Sequence, residues 1–212
     1  MEQHGGEPRR ITIHRPEDFA GMRKAGRLAA ETLDMIAGHV RPGITTGEID
    51  QLCHDFMVGH GAVPATLGYR GYTKSSCTSV NHVVCHGIPG DRVLAEGDIV
   101  NIDVTVILDG WYGDTSRMFV AGQPSTKARL LMDVTYESMM KGIAAIKPGA
   151  TLGDIGHAIQ TFVEKHRFSV VRTSAATASA ATSTNRPTFC TTAARARGRA
   201  SSRACSSPSN RW

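Results

Sequence analysis

Apolar positions recur at helical spacing from Phe19 through Met22, Leu28, Leu33 and Ile36 to about Val40. Pro16-Glu17-Asp18 opens this stretch with an early proline and acids in the first turn, and Arg41-Pro42-Gly43 closes it. A second helix follows at once. Thr45 and Glu48 have the spacing of a capping box, in which hydroxyl and carboxylate each satisfy an amide that the first turn leaves open. Ile49, Leu52, Cys53 and Phe56 then mark one apolar face. Further on the period shortens. Ile99 to Leu108 is β-rich, Asp109-Gly110 is a favoured two-residue hairpin turn, and Trp111 begins the return strand. Val83 and Val84 predict a further strand, with His86 at its end, where Gly87 and Pro89 force the chain to turn.

The helix-start unit occurs twice. Residues 41–62 read RPGITTGEIDQLCHDFMVGHGA and residues 147–168 read KPGATLGDIGHAIQTFVEKHRF. At an offset of 106, Pro, Gly, Thr, Gly, Ile and Phe coincide, and Glu48 becomes Asp154. Each copy follows a helical stretch. Two helix starts can resemble each other by chance, but the run of matches favours an internal duplication: two related α+β halves that would enclose a site between them.

Composition breaks near Arg172. Of the 40 residues at 173–212, Ala, Ser, Thr and Arg supply 31, and Leu, Ile, Val and Met are absent. Such a segment cannot offset its ordering entropy by burial, so no packed core is expected from it. The break also explains the net charge of +5. The tail holds six Arg and no Asp, Glu or Lys, whereas residues 1–172 carry 18 basic and 19 acidic residues. The basic pI is thus a property of the tail and does not indicate a nucleic-acid-binding domain. The expected organisation is a disordered stretch at 1–10, a folded body at 11–172 and an unstructured tail at 173–212. No apolar run approaches the roughly 20 residues of a membrane helix, and the N-terminus offers no signal-like stretch. Five Cys without dense spacing or a CxxC argue for reduced thiols in a cytoplasm.

The hairpin carries the candidate chemistry. With a two-residue turn, Leu108 faces Trp111 and Thr105 faces Asp114. Asp103 and Thr105 share a face, so Asp103 and Asp114 become diagonal neighbours on that face. Two ionised carboxylates aimed at one spot repel, and a divalent metal resolves the conflict. A metal pair about 3.5–4 Å apart, bridged by such carboxylates, activates a water. The alternative is two solvent-facing Asp on an edge hairpin, and a one-residue slip of the turn would break the geometry. His86 could donate to a substrate carbonyl or amide, or be structural or merely exposed. Cys85 beside it has no identifiable activating partner and reads as packing.

Taken together, LGYRGYTKSSCTSVNHVVCHGIP, GDIVNIDVTVILDGWYGDTSRMF and the duplicated PG-x-T-x-G helix starts resemble the type I methionine aminopeptidases, from about Ile11 to Arg172. The short N-terminus suits the bacterial-type, stand-alone form. The resemblance implies an α+β, duplicated pita-bread fold with a curved antiparallel sheet and helices outside, its second half incomplete in this chain. It implies metal-dependent hydrolysis of the initiator methionine from nascent polypeptide N-termini near the ribosome, by a cytoplasmic monomer that binds neither membrane nor specific nucleic acid. Two divalent ions (Co, Mn, Fe or Zn) would serve per site. Asp103 and Asp114 match the family's two metal-binding Asp, and His86 matches the His that contacts substrate near the scissile bond. Tyr69, Tyr72 and Cys77 match the positions lining the methionine side-chain pocket; Thr66 stands where many relatives carry Cys.

The family also uses a metal-binding His in a Gly-His-Gly segment, a second His and two Glu. Beyond Arg172 there is no His and no Glu. The genetic code offers an explanation. Joining the last base of each codon to the first two of the next, residues 173–180 can encode Asp-Phe-Cys-Gly-His-Gly-Leu-Gly, with Thr177 at the metal-binding His position. In the same register Thr184 falls at the second His and Asn210 at the first Glu. A single-base change near codon 172 would put the tail out of frame, and the polypeptide as written would then lack activity. Other readings are a natural basic tail, a non-catalytic pita-bread binding protein and a proline-specific metallopeptidase of the same fold.

Overall fold

The computed structural model describes residues 14–171, together with the backbone of two three-residue strands at 175–177 and 188–190. The chain divides into two compact units, one built mainly from residues up to Gly122 and one from Gln123 onward.

The first unit sets two helices, α1 (Asp18–Ala37) and α2 (Thr46–Gly59), against an antiparallel sheet. Its strands are β1 (Val63–Pro64), β2 (Ser76–Val80), β3 (Ile99–Leu108) and β4 (Trp111–Val120). β3 is central. One of its edges pairs with β1 at Ile107 and Val106 and with β2 from Val104 to Val100; the other pairs with β4 along its whole length. Alternation along β3 creates the core: Val100, Ile102, Val104 and Val106 are fully buried with Leu33 and Ile36 of α1 and Ile49, Cys53 and Met57 of α2. Gly113 lets β4 approach α1, because a Cβ there would run into the Ala25 carbonyl.

α1 ends at Ala37, with Gly38 as its cap, and not near Val40; the chain then needs Gly43 at φ 93° to turn into α2. α2 begins on the expected capping box. Thr45 Oγ1 accepts from the Glu48 amide at 3.1 Å, and Glu48 Oε2 accepts from the Thr45 amide at 2.8 Å.

The second unit contains α3 (Thr126–Ala144) and α4 (Leu152–Lys165), which pack on each other. Gly142 leaves room for Ile155 and Ile159, and the Lys141 ammonium lies 4.5 Å from the centre of the Phe162 ring. Thr151 and Asp154 form the second capping box. The duplication extends to the helix ends: His60 Nδ1 meets the Phe56 carbonyl and His166 Nδ1 the Phe162 carbonyl, each His against the ring of that Phe. Strands β5 (Ala175–Thr177) and β6 (Thr188–Cys190) pair antiparallel, although no element is expected there from composition. The remainder of the tail, including Thr184 and Asn210, and the side chain of Thr177 lie outside the described residues.

Candidate active site

The β3–β4 hairpin forms in the expected register. Asp109 (φ 51°) and Gly110 (φ 82°) occupy the turn, Leu108 pairs with Trp111, Thr105 with Asp114 and Asp103 with Ser116. Positive φ at both turn residues matches the right-handed twist of the strands, which is why Asp-Gly is favoured there. Lys24 of α1 holds the turn through a 2.6 Å ion pair with Asp109. Asp103 and Asp114 therefore lie diagonally on the face of the sheet turned away from the helices, Asp103 half-buried and Asp114 exposed. Thr105 Oγ1 donates to Asp114 Oδ1 at 3.0 Å and so orients that carboxylate.

On the other side of β3, Cys77 of β2 is the register partner of Asp103. Tyr72 reaches the same place: its hydroxyl lies 2.9 Å from the Ser76 carbonyl oxygen, to which it donates, and 3.4 Å from Cys77 Sγ. Burial pushes the Tyr72 phenol well up, helped by its bond to Cys77 and by the charges of Asp50 and Asp103. Burial also raises the Cys77 thiol, against the lowering effect of the Tyr72 hydrogen bond, with Asp103, Asp50 and Cys85 adding to the rise. Thus Tyr72 is tied to Cys77, and Cys77 stands beside Asp103, the diagonal neighbour of Asp114. Tyr69 is exposed, in the short turn Tyr69–Gly71 where Arg70 has φ 50°. Thr66 donates to the Lys74 carbonyl across the base of that loop.

His86 is placed differently from expectation. Val83 and Val84 form no strand; both are exposed in a loop. β2 stops at Val80 because Asn81, at φ 52°, turns the chain and uses its own side chain on the neighbouring strand. Its Oδ1 accepts from the Ile99 amide and its Nδ2 donates to Asp98. The loop then folds back along the free edge of β2. The Gly87 carbonyl accepts from the Thr78 amide, the Gly87 amide donates to Ser79 Oγ, and a Cβ on Gly87 would strike the Thr78 carbonyl. His86 precedes this close contact, exposed and at φ 53°. Cys85 is exposed as well, so it does not serve as packing.

Two carboxylates that pattern reading missed hold this frame. Asp98 accepts from Asn81, from Arg92 and from the Ala95 amide. Burial alone would raise its pKa, but these donors and the Arg92 charge hold it below the usual carboxylate range. Asp50 is buried on α2 and accepts from Ser75 and Ser76 just before Cys77. Its signal was present: Asp50 stands in the helical stripe of Thr46, Ile49, Cys53 and Met57, where an acid needs partners.

Among the described residues, no group of three or more His, Cys, Asp and Glu side chains comes together as metal ligands, and no helix is long and apolar enough to cross a membrane. The donor chemistry of the hairpin, two neighbouring carboxylates on one face, suits a hard or borderline divalent cation but supplies only part of a coordination sphere.

Residues 20–183 match metallopeptidase family M24. A methionine aminopeptidase of Rickettsia prowazekii is 62% identical over 162 residues, covering 76% of this chain and 62% of that protein. That of Escherichia coli K12 is 56% identical over 164 residues, with the same shares covered. The chain thus spans less than two thirds of these curated relatives. A crystal structure of methionine aminopeptidase from Rickettsia prowazekii superposes with a TM-score of 0.84 at 54% identity, covering 89% of this chain and 76% of that one.

Proposed function

We infer the function from one established point: the chain belongs to metallopeptidase family M24. Its fold is α+β, part of the duplicated pita-bread architecture of its bacterial-type relatives. Within that family, the site favours metal-dependent hydrolysis of the bond after an N-terminal methionine, on nascent polypeptides near the ribosome, by a cytoplasmic monomer. The observation that carries this reading is the register that sets Asp103 diagonal to Asp114 and beside Cys77, to which Tyr72 is bonded.

In this reading Asp103 and Asp114 hold two divalent ions, of Co, Mn, Fe or Zn, with Thr105 fixing the orientation of Asp114. When bound, such ions polarise the peptide carbonyl and activate water. Tyr69, Tyr72 and Cys77 line the pocket for the methionine side chain, with Thr66 at the base of the loop that carries the two Tyr. His86 donates to the substrate near the scissile bond, held by the fold-back at Gly87. The catalytic body is 11–172.

The segment 173–212 reads as out of frame: Thr177, Thr184 and Asn210 then stand where His, His and Glu belong. Two Asp on one hairpin bind metal weakly, with water completing the shell, and the 212-residue polypeptide turns over no substrate.

Calorimetric titration with Mn2+ tests the site. Weak binding is expected for the unsubstituted chain, abolished by Asp103→Asn and by Asp114→Asn and unaffected by Asp109→Asn at the hairpin turn. Equal binding by all four proteins would remove the hairpin from the metal site.

A further inference from the structure

We propose that Asp50 is a positioning residue that shapes the wall of the methionine pocket from the opposite side of the sheet. The proposal rests on the pocket assigned above to Tyr72 and Cys77, and it goes beyond that assignment by naming what holds the wall in place. Asp50 lies in the first turns of α2 and is buried. One of its oxygens, Oδ1, accepts three hydrogen bonds: from the Ser75 amide at 3.0 Å, the Ser76 amide at 2.8 Å and the Ser76 hydroxyl at 2.7 Å. Beside them, His54 Nδ1 lies 2.8 Å from the Ser75 hydroxyl.

These donors sit at the start of β2. Ser76 is the first residue of the strand, and the loop before it carries Tyr69 and Tyr72. The carbonyl of Ser76 receives the Tyr72 hydroxyl, and Cys77 follows directly. Asp50 therefore fixes Ser76 through its amide and hydroxyl, and Ser76 carries the carbonyl that Tyr72 bonds and precedes Cys77. Charge makes the tie strong, since hydrogen bonds to a carboxylate are shorter and stronger than neutral ones. Removing it leaves two buried amides and a hydroxyl without their acceptor, which the loop relieves by moving toward water. The effect of Asp50 passes through Ser76 to the pocket wall.

The experiment is alkylation of the metal-free full chain with iodoacetamide, read for each cysteine by peptide mass mapping. Cys77 is only 7% exposed and Cys85 is the exposed internal reference. Asp50→Ala should speed alkylation of Cys77 about tenfold relative to Cys85, the signature of a local opening. Asp50→Asn keeps an acceptor oxygen and should stay within about twofold of the unsubstituted chain. Ile49→Val, in the same helix turn and core, should lower the melting temperature without changing Cys77. Should Asp50→Ala fail to fold, Ser76→Ala removes one donor and should give an intermediate rate. L-methionine added as a probe should slow Cys77 alkylation in the unsubstituted chain and in Asp50→Asn, but not in Asp50→Ala. Unchanged Cys77 reactivity in Asp50→Ala, or an equal rise in Ile49→Val, would overturn the proposal. Faster alkylation in Asp50→Ala with no methionine protection in any protein would leave Asp50 as a positioning residue and overturn the methionine pocket.

Discussion

The two helix pairs have the same local architecture and opposite surroundings. α2 and α4 are both 14 residues long, start on a Thr capping box and end on a His that folds back over a Phe. Each follows a Gly with positive φ, Gly43 at 93° and Gly149 at 84°. Yet Ala25 and Leu33 of α1 are 0% and 1% exposed, whereas their counterparts 106 residues on, Leu131 and Met139 of α3, are 39% and 47% exposed. Other positions agree: Val134 and Ser138 are buried like Leu28 and Thr32. Val134 and Ser138 share a helix face with Gly142, which abuts Ile155 and Ile159 of α4, whereas Ala25 abuts Gly113 of β4. Capping and turn chemistry thus reproduce a helix pair without fixing what covers its outer face. Exposed Leu131, Tyr136, Met139, Met140 and Ile143 form an apolar stripe of the kind that promotes aggregation.

Paired substitutions sharpen this contrast. Leu33→Ala should lower stability by about 2–5 kcal/mol through loss of buried methyl groups and the cavity left behind, whereas Met139→Ala should change it by less than about 0.5 kcal/mol. Urea unfolding midpoints would check both, and equal losses would show that the second helix pair is as well covered as the first. Next in size come the caps. Thr45→Ala and Thr151→Ala should each cost about 1 kcal/mol, because the cap acts on its own helix turn whatever lies outside it. Helical circular dichroism during thermal melting would reveal a cap that matters in one unit only.

Much of this was legible because it is local. Thr45 with Glu48, Thr151 with Asp154 and the Asp109-Gly110 turn each encode their geometry within four residues, so the register that puts Asp103 diagonal to Asp114 follows from the sequence. Val83 and Val84 misled for a non-local reason. Their β-propensity is overridden by Asn81, whose side chain bonds to Asp98 and Ile99 some 17 and 18 residues away. Cys85 misled in the same way, since an apolar neighbourhood in sequence became an exposed loop. Asp50 and Asp98 escaped notice because a buried carboxylate is recognisable only with its donors in place.

The smallest effect concerns that loop. Asp98 is held below the usual carboxylate range in the folded state, so its hydrogen bonds stabilise the fold fully above that range. The contribution disappears as pH falls through the lowered value. Amides from Asn81 to Gly90 should lose hydrogen-exchange protection on acidification before the central β3 amides do, and Asp98→Asn should remove most of that pH dependence. Simultaneous loss in both segments would separate the Asp98 network from the placement of His86.

We propose that Asp103 and Asp114 form one part of an M24 active site and that the residues after Arg172 stand out of frame. The most direct measurement is release of methionine from a Met-Ala-Ser peptide in the presence of Mn2+. It compares the 212-residue chain with a version whose coding frame is restored at codon 172 and extended in that frame. No turnover is expected from the chain as it stands; the restored protein should turn over the peptide and lose that activity on Asp103→Asn. Methionine release by the 212-residue chain at the rate of the restored protein would contradict the proposal.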